Sequence, residues 1–219
     1  MNSKSVAVVT GASQGIGRAT AVRLARDFEA VVLAARQEDE LKQTAAAVKS
    51  AGAVPQIDLF EMTDAQWEDG IALKLHGARR LTIRAWDALK ASGGAVVLIS
   101  GSAALDPKPG FAAVATINAA IIALAKAFAE QGIKDGVQVN SVVPGPVMTG
   151  RRKSFLDKWA PAHGMSVEEA TNLFPEQAGI ARYGEPEEIA GLMAYLVSKE
   201  ARWLTGASVR MDGGEIKGI

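Results

Sequence analysis

Short apolar runs recur along the chain and alternate with longer segments of mixed character. The runs lie at Val6–Val9, Ala30–Ala35, Ala95–Ile99 and Val137–Val142, and a more polar run follows at Ala207–Met211. The first three are apolar throughout, which is typical of strands buried on both faces of a parallel sheet. The pattern therefore predicts an α/β protein with a mostly parallel sheet.

Helical periodicity fills most of the intervening segments. We expect helices at about Gly15–Asp27, Glu38–Lys49, Thr63 or Asp64 to Gly93, Phe111–Gln131 and Glu185–Ser198. Thr63 or Asp64 caps the third of these, and Gly93 with Gly94 ends it. Residues 150–182 are expected to form an irregular, partly helical insert. The helix Phe111–Gln131 is rich in alanine on most faces, so we expect one side of it to pack against another subunit.

A glycine-rich turn, Thr10–Gly17, joins the first apolar run to the first predicted helix and reads T-G-A-S-Q-G-I-G. Gly11 can adopt backbone angles that a β-carbon forbids, while Gly15 and Gly17 let a diphosphate approach the backbone. The start of the following helix offers unpaired N–H groups and a positive dipole end to phosphates. A merely structural turn is the alternative interpretation. The predicted dinucleotide contacts in this turn are Gly11, Ser13, Gly15, Ile16 and Gly17.

Arg36 follows the second predicted strand directly. In a dinucleotide-binding fold this strand ends beside the adenosine ribose, where an acidic residue favours NAD and a basic residue accommodates the 2′-phosphate of NADP. Arg36 therefore favours NADP(H), with NAD(H) still possible. A surface arginine at the start of a helix is the alternative.

The amino-acid composition excludes several classes of function and kinds of site. The chain has 219 residues and 48% hydrophobic content, which suits one domain over 1–219. Lysine plus arginine and aspartate plus glutamate both number 24, so no global charge favours nucleic acid or an acidic membrane. With no cysteine and only two histidines, disulfides and a cysteine- or histidine-rich metal site are not expected. The start of the chain lacks a signal-peptide pattern, and we expect no run to be long enough to cross a bilayer, so the sequence predicts a soluble cytoplasmic protein.

Several motifs together resemble the short-chain dehydrogenase/reductase family over nearly the whole chain. They are Thr10–Gly17, Val137–Thr149, Arg182–Ala190, Leu204–Gly206 and Met211–Gly214. The resemblance implies a Rossmann-type, doubly wound sheet, a nicotinamide cofactor, a small carbonyl or alcohol substrate, and a homodimer or homotetramer. It also implies cofactor contacts in the turn Pro144–Gly145, and contacts from Val147 and Thr149 to the nicotinamide carboxamide.

The family's catalytic residues are replaced. The resemblance places Lys74 at the family asparagine, Gly101 at the serine, Val114 at the tyrosine and Asn118 at the lysine. Carbonyl reduction needs a proton donor at the substrate oxygen, and valine has no proton to donate. Two hypotheses stay open: an oxidoreductase with a replaced catalytic relay, and a non-catalytic nucleotide-binding or interaction protein.

Several residues are candidates for substitute chemistry. Lys74 and His76 could supply a proton, Thr116 or Asn118 could hold an oxygen, and a shifted alignment would give Ser102 the serine role. All are otherwise ordinary polar residues. Arg151–Lys153 could bind a carboxylate or phosphate, with a solvated cationic loop as the alternative. The only Tyr-x-x-x-Lys, Tyr195 to Lys199, is expected to be a core tyrosine near a helix end rather than a catalytic pair.

The chain is also short for the family. Roughly forty residues, carrying the third and fourth strands by resemblance, are missing between about Ser50 and Ala51. We expect either that the sequence omits a segment of the natural chain, or that the first strand pairs with the Ala95–Ile99 strand, since unpaired buried strand edges are costly. An intact mass matching 219 residues would contradict the omission.

Overall fold

The computed structural model describes residues 5–35 and 63–218. These residues belong to two compact units, one with residues 5–35 and 146–194, the other with residues 63–145 and 195–218. The strands are β1 (Val6–Thr10), β2 (Ala30–Ala34), β3 (Ala95–Ile99), β4 (Gln138–Pro144) and β5 (Ser208–Met211). The α-helices are α1 (Gly15–Leu24), α2 (Asp64–Gly70), α3 (Gly77–Ser92), α4 (Ala112–Asp135), α5 (Gly150–Ala162), α6 (Val167–Ala178) and α7 (Pro186–Leu196).

In the first unit, β1 and β2 pair in parallel, with Val6 opposite Ala30 and Thr10 opposite Ala34. Helix α1 connects them, so the β1–α1–β2 segment is one βαβ unit. Helices α5 and α6 pack on each other through the buried residues Leu156, Ala160 and Ala170. The region expected to be an irregular insert is therefore two well-formed helices. Ser166 and Glu169 form a reciprocal capping box at the start of α6, a local signal that fixes where that helix begins.

In the second unit, β3, β4 and β5 form a parallel sheet in that order. Every residue of β4 is buried, as expected for its central position. Helix α4 covers β3 and β4, and its residues Ile121, Ala125 and Ala129 join a core cluster with them. Asp135 extends α4 beyond the predicted end because its carboxylate accepts hydrogen bonds from Trp86, Lys90 and Gln131.

The region Pro109–Asp135, which contains α4, is long and apolar enough to cross a membrane by length and composition. The expectation that no run has this length was therefore wrong. The residues of α4 that pack on β3 and β4 include Ile121, Ala125 and Ala129, exposed by 1 to 3%. This packing accounts for the apolar residues on the face of α4 that meets the sheet.

The predicted α/β class with parallel strands is confirmed, and the strand boundaries differ from the predicted ones by a few residues at most. Among residues 5–35 and 63–218, β1 pairs only with β2 and β3 only with β4, so the alternative pairing of the first strand with Ala95–Ile99 is not observed there. The predicted helix Glu38–Lys49 and the junction of Ser50 and Ala51 lie outside the described residues, as does Arg36.

Candidate active site

The glycine-rich turn has the geometry that its sequence predicts. Gly11 and Gly15 have φ of 64° and 51°, the left-handed region that favours glycine. A β-carbon on Gly17 would lie 2.3 Å from the carbonyl oxygen of Gly11, so the turn closes only with glycine at this position. Ser13 is 7% exposed and Ile16 is half-buried.

The N-terminus of α1 is open to an anion. The cap residue Gln14 makes no side-chain hydrogen bond to the helix, and the first turn contains no acidic residue. Neither the side chain of Gln14 nor an acidic residue of the first turn therefore neutralises the positive end of the helix dipole. Together with the close approach at Gly17, this arrangement fits the diphosphate of a dinucleotide.

The same unit brings the predicted nicotinamide contacts to this turn. A β-carbon on Gly15 would lie 3.2 Å from Cγ2 of Thr149, so the turn and Thr149 are neighbours. The Thr149 hydroxyl accepts a hydrogen bond from the backbone N–H of Arg152 and caps α5. Val147 is buried, and its segment forms a parallel bridge with Gly184. The glycine-rich turn and Thr149 are therefore neighbours, and Val147 lies two residues before Thr149 in the same unit.

A segment just before α7 fixes the position of Val147. The N–H of Met148 donates to the carbonyl of Gly184 at 2.8 Å, and the N–H of Gly184 donates to the carbonyl of Pro146 at 2.9 Å. The Arg182 guanidinium makes a bidentate pair with the Glu188 carboxylate, at 2.8 and 2.9 Å, and also donates to the carbonyl of Tyr183. The motif Arg182–Ala190 therefore holds the segment predicted to contact the nicotinamide, a contact that the motif's sequence alone does not reveal.

Pro144 and Gly145 end β4 in the second unit. The N–H of Gly145 donates to the carbonyl of Met211 at 3.1 Å. A β-carbon on Gly145 would lie 2.6 Å from Cα of Asp212. The close approach of the backbone after β5 therefore requires glycine at position 145. It links the motif Val137–Thr149 to the motif Met211–Gly214.

Three of the four positions that the resemblance aligns with the family's catalytic residues meet in space within the second unit. The Lys74 ammonium donates to Oδ1 of Asn118 and, at 3.3 Å, to the carbonyl of Ser100. A β-carbon on Gly101 would lie 2.8 Å from Nδ2 of Asn118. Ser100, which the sequence reasoning missed, is buried, and its hydroxyl donates to the carbonyl of Asn118 at 2.8 Å. The signal available for it was a serine at the end of a buried strand.

The remaining candidates do not join this cluster by any described contact. Val114 lies one turn before Asn118 on α4 and is 43% exposed. Thr116 is exposed, and Ser102 is half-buried in a short 3₁₀ turn. Nδ1 of His76 is buried without a hydrogen-bond partner among the described residues.

Tyr195 was expected in the core but is 50% exposed, so that prediction was wrong. Its neighbours Ala194 and Leu196 are the buried residues of the last turn of α7, which places Tyr195 on the outer face. Arg151–Lys153 lie in the first turn of α5 rather than in a loop. The Arg152 guanidinium lies 5.6 Å from the centroids of the Phe155 and Tyr183 rings, a cation–π arrangement.

A parallel α/β fold with a glycine-rich turn opening α1 defines a Rossmann-type nucleotide-binding protein. A family model described as enoyl-(acyl carrier protein) reductase matches residues 44–215, and one described as short chain dehydrogenase matches residues 5–59. The chain belongs to the short-chain dehydrogenase/reductase family.

Relatives match over almost the full chain. The short-chain reductase protein NovJ of Streptomyces niveus is 29% identical, covering 98% of this chain and 95% of its own length. Human dehydrogenase/reductase SDR family member 4 is 28% identical, covering 95% and 86%. The crystal structure of L-sorbose reductase from Gluconobacter frateurii, complexed with NADPH and L-sorbose, is 25% identical, with a TM-score of 0.90 and coverage of 99% and 98%.

The comparisons also bear on the length of the chain. The alignment with the Streptomyces protein spans 252 positions, whereas this chain has 219 residues. More than thirty positions of that alignment therefore face a gap in this chain. The two family models overlap at residues 44–59, a range that contains Ser50 and Ala51. The omission of a segment stays a prediction.

The Arg182–Glu188 ion pair near the Val147 segment predicts that the stability of the fold depends on pH. Hydrogen bonds from Arg182, and then from the backbone N–H of Glu185, lower the pKa of Glu188 from 4.5 to about 2. A depressed carboxyl pKa stabilises the fold above the unfolded value, and the contribution is lost as the pH falls from about 4.5 towards about 2. We expect the urea midpoint of the wild type to fall more steeply over this window than that of Glu188→Gln.

The matched control is Glu187→Gln, which changes an exposed neighbour in the same turn of α7. It is expected to keep the wild-type pH dependence. Identical slopes for the wild type and Glu188→Gln would show that the Arg182–Glu188 pair contributes nothing to stability in solution.

Proposed function

We propose that this protein binds NADP(H) and belongs functionally among the oxidoreductases that interconvert carbonyls and alcohols, with the usual catalytic residues replaced. The observation that carries the proposal is the uncapped N-terminus of α1, opened by a turn that closes only with glycine at position 17. When bound, the nicotinamide supplies hydride chemistry. The turn Gly11–Gly17 would hold the diphosphate, and Val147 and Thr149 would hold the carboxamide.

The choice of NADP(H) rests on two supports. Arg36 provides a basic residue after the second strand, where it would pair with the 2′-phosphate. The similar L-sorbose reductase was crystallised with NADPH, and so was the actinorhodin polyketide ketoreductase, which is 24% identical with a TM-score of 0.85. NAD(H) is the alternative cofactor.

A second candidate function is a non-catalytic nucleotide-binding or interaction protein on the same scaffold. The observation that favours it is Val114, which stands at the family's tyrosine position and has no proton to give. Both candidates predict NADPH binding, and only the first predicts turnover.

We also propose that the protein is cytoplasmic and that it forms a homodimer or a homotetramer. The support is the exposed apolar residues of α3 and α4, which include Leu81, Ile83, Val114 and Ile133. Exposed apolar surface on a helix favours association with a second copy. Light scattering that gives the mass of one chain at micromolar concentration would contradict it.

The first test is NADPH binding, followed through cofactor fluorescence, and then NADPH oxidation with 4-nitrobenzaldehyde, cyclohexanone and 9,10-phenanthrenequinone. We expect saturable binding by the wild type and at least tenfold weaker binding by Gly17→Ala, because the new methyl group would displace the Gly11 carbonyl. Gly191→Ala is the matched control, since it also alters a glycine in a helix of the same unit but meets no atom within 4 Å.

Both variants must remain folded by circular dichroism for the comparison to count. Wild-type protein that fails to bind NADPH or NADH at millimolar concentration would refute both candidate functions. Binding without turnover on the three carbonyl probes would favour the non-catalytic candidate.

The second test concerns the cofactor's 2′-phosphate. We expect Arg36→Ala to weaken NADPH binding by about tenfold or more, the loss of one charge-assisted pair, and to leave NADH binding nearly unchanged. Arg26→Ala, which removes an exposed arginine after α1, is the control. Equal losses for the two cofactors would remove this role from Arg36.

A further inference from the structure

We propose that the start of α5 is a binding site for a small oxyanion, a carboxylate or a phosphate, formed by Arg151, Arg152 and the hydroxyl of Tyr183. All three residues belong to the first unit. Arg151 is separated by one residue from Thr149, a predicted nicotinamide contact. We therefore assign the anion to the substrate of the proposed oxidoreductase, and this assignment rests on the proposed function.

The charges at the start of α5 have the wrong sign for a helix N-terminus. Arg151, Arg152 and Lys153 lie in the first turn, which contains no acidic residue. The positive end of the helix dipole repels these cations, so the arrangement costs stability unless an anion lies nearby. The first turns of α6 and α7, in the same unit, follow the ordinary rule and each contain two glutamates. The rule is therefore broken at α5, and such local violations are expected at functional sites.

Neither arginine has a hydrogen bond or an ion pair from its guanidinium to the part of the chain that the structure describes. The Arg182 guanidinium of the same unit, by contrast, pairs with Glu188. Burial by the surrounding protein, and then the charge of Arg152, lower the pKa of Arg151, the direction expected for two cations that lie close together. An oxyanion beside the two guanidinium groups would remove this repulsion.

Two aromatic rings hold the Arg152 guanidinium in place. Its central carbon lies 5.6 Å from the centroid of the Phe155 ring and 5.6 Å from that of the Tyr183 ring. Such contacts attract the cation to the face of a ring but give its N–H groups no oxygen acceptor. Those donors therefore remain for the bidentate pairing that matches the oxygens of a carboxylate or a phosphate.

The Tyr183 hydroxyl adds a buried donor beside Arg152. Tyr183 is 6% exposed, and its hydroxyl oxygen is buried without a hydrogen-bond partner among residues 5–35 and 63–218. Leaving a buried hydroxyl without a partner is costly. Burial raises the pKa of this hydroxyl, while the charge of Arg152 acts in the opposite direction, so the oxygen lies within the field of that cation. An anion bound by Arg152 would supply the acceptor that the hydroxyl lacks.

Backbone contacts fix the two parts of the site relative to each other. Val147, just before α5, forms a parallel bridge with Gly184, the residue after Tyr183. The Thr149 hydroxyl accepts a hydrogen bond from the backbone N–H of Arg152 at 3.2 Å. Because the start of α5 and the Tyr183 segment are held together before any ligand binds, an anion would have little structure to order.

The first experiment measures anion binding by calorimetry, with benzoate, phenyl phosphate and the uncharged benzamide as probes. We expect the wild type to bind one of the two anions about tenfold or more tightly than benzamide, and the preferred anion distinguishes a carboxylate site from a phosphate site. Arg151→Gln and Arg152→Gln should each bind that anion about tenfold or more weakly, the loss of one charged hydrogen bond. Lys158→Gln, which removes an exposed cation of α5 beyond its first turn, should bind it like the wild type.

The diphosphate of the cofactor is the alternative source of the anion. If the site serves the substrate, anion binding should persist at saturating NADP⁺, and both arginine variants should bind NADPH within about threefold of the wild type, below the effect of a lost charged contact. Displacement of the anion by NADP⁺, or about tenfold weaker NADPH binding by either variant, would overturn the proposal.

Stability measurements give a second readout that does not depend on catalysis. Arg151→Gln should raise the melting temperature at low ionic strength by about 1–4 °C, because it removes a cation from the positive end of α5. The preferred anion should raise the melting temperature of the wild type more than that of this variant. An anion-induced rise that is equal in both proteins would contradict the site.

Tyr183→Phe removes only the hydroxyl. We expect this variant to be at least as stable as the wild type, because it no longer buries an unpaired donor, and to bind the anion about threefold or more weakly. Wild-type anion binding by Tyr183→Phe, or by either arginine variant, would overturn the proposal, as would equal binding of the anions and benzamide by the wild type.

The link to the proposed reaction is tested by NADPH oxidation with 4-carboxybenzaldehyde and 4-nitrobenzaldehyde. The ratio of kcat/KM for the charged aldehyde over the uncharged one should fall about tenfold or more in Arg152→Gln, and an unchanged ratio would refute the assignment to the substrate. Absence of NADPH binding by the wild type would instead refute the proposed function. The benzoate and phenyl phosphate titrations without cofactor would then still decide whether the anion site exists.

Discussion

Close approach of backbone to backbone, with no room for a β-carbon between, is the constraint on which the candidate site depends. At Gly17 the opposing atom is the Gly11 carbonyl oxygen, 2.3 Å from a β-carbon position, and at Gly145 it is Cα of Asp212, at 2.6 Å. The first approach closes the turn that opens α1, and the second joins the end of β4 to the segment after β5. Since a backbone atom cannot rotate away as a side chain does, these distances fix the loops more firmly than any of the surface ion pairs.

The local parts of this fold could be predicted from sequence because each has a local cause. The apolar runs mark the strands, glycines in the left-handed region end α3 and α4, and the T-G-x-x-x-G-I-G turn specifies its own geometry. Ile71–His76, between α2 and α3, forms a π-helical segment. This segment could not be predicted, because its apolar spacing differs little from that of an α-helix over six residues. The exposure of Tyr195 was missed for a related reason: a single aromatic residue near a helix end does not say which face of the helix is buried.

The contacts between replaced positions were also beyond the sequence, since Lys74, Ser100 and Asn118 lie on three different elements. The sequence shows only that the family's catalytic residue types are absent from the aligned positions. The structure shows in addition that Asn118 is buried, hydrogen-bonded to Lys74 and Ser100, and packed against Gly101.

The edges of the two sheets bear on the predicted omission of a segment. Within the described ranges, β1 pairs only with β2, and β3 pairs on one side only, with β4. Each sheet thus ends on a strand with one edge unpaired among these residues, and Val6 and Val8 of β1 are about half exposed. Unpaired apolar edge strands invite association with other chains. This chain forms the glycine contacts and the Lys74 cluster, while more than thirty positions of a relative's alignment face a gap in it. An additional segment of chain that pairs with these edges would explain both the unpaired edges and the gap in the alignment.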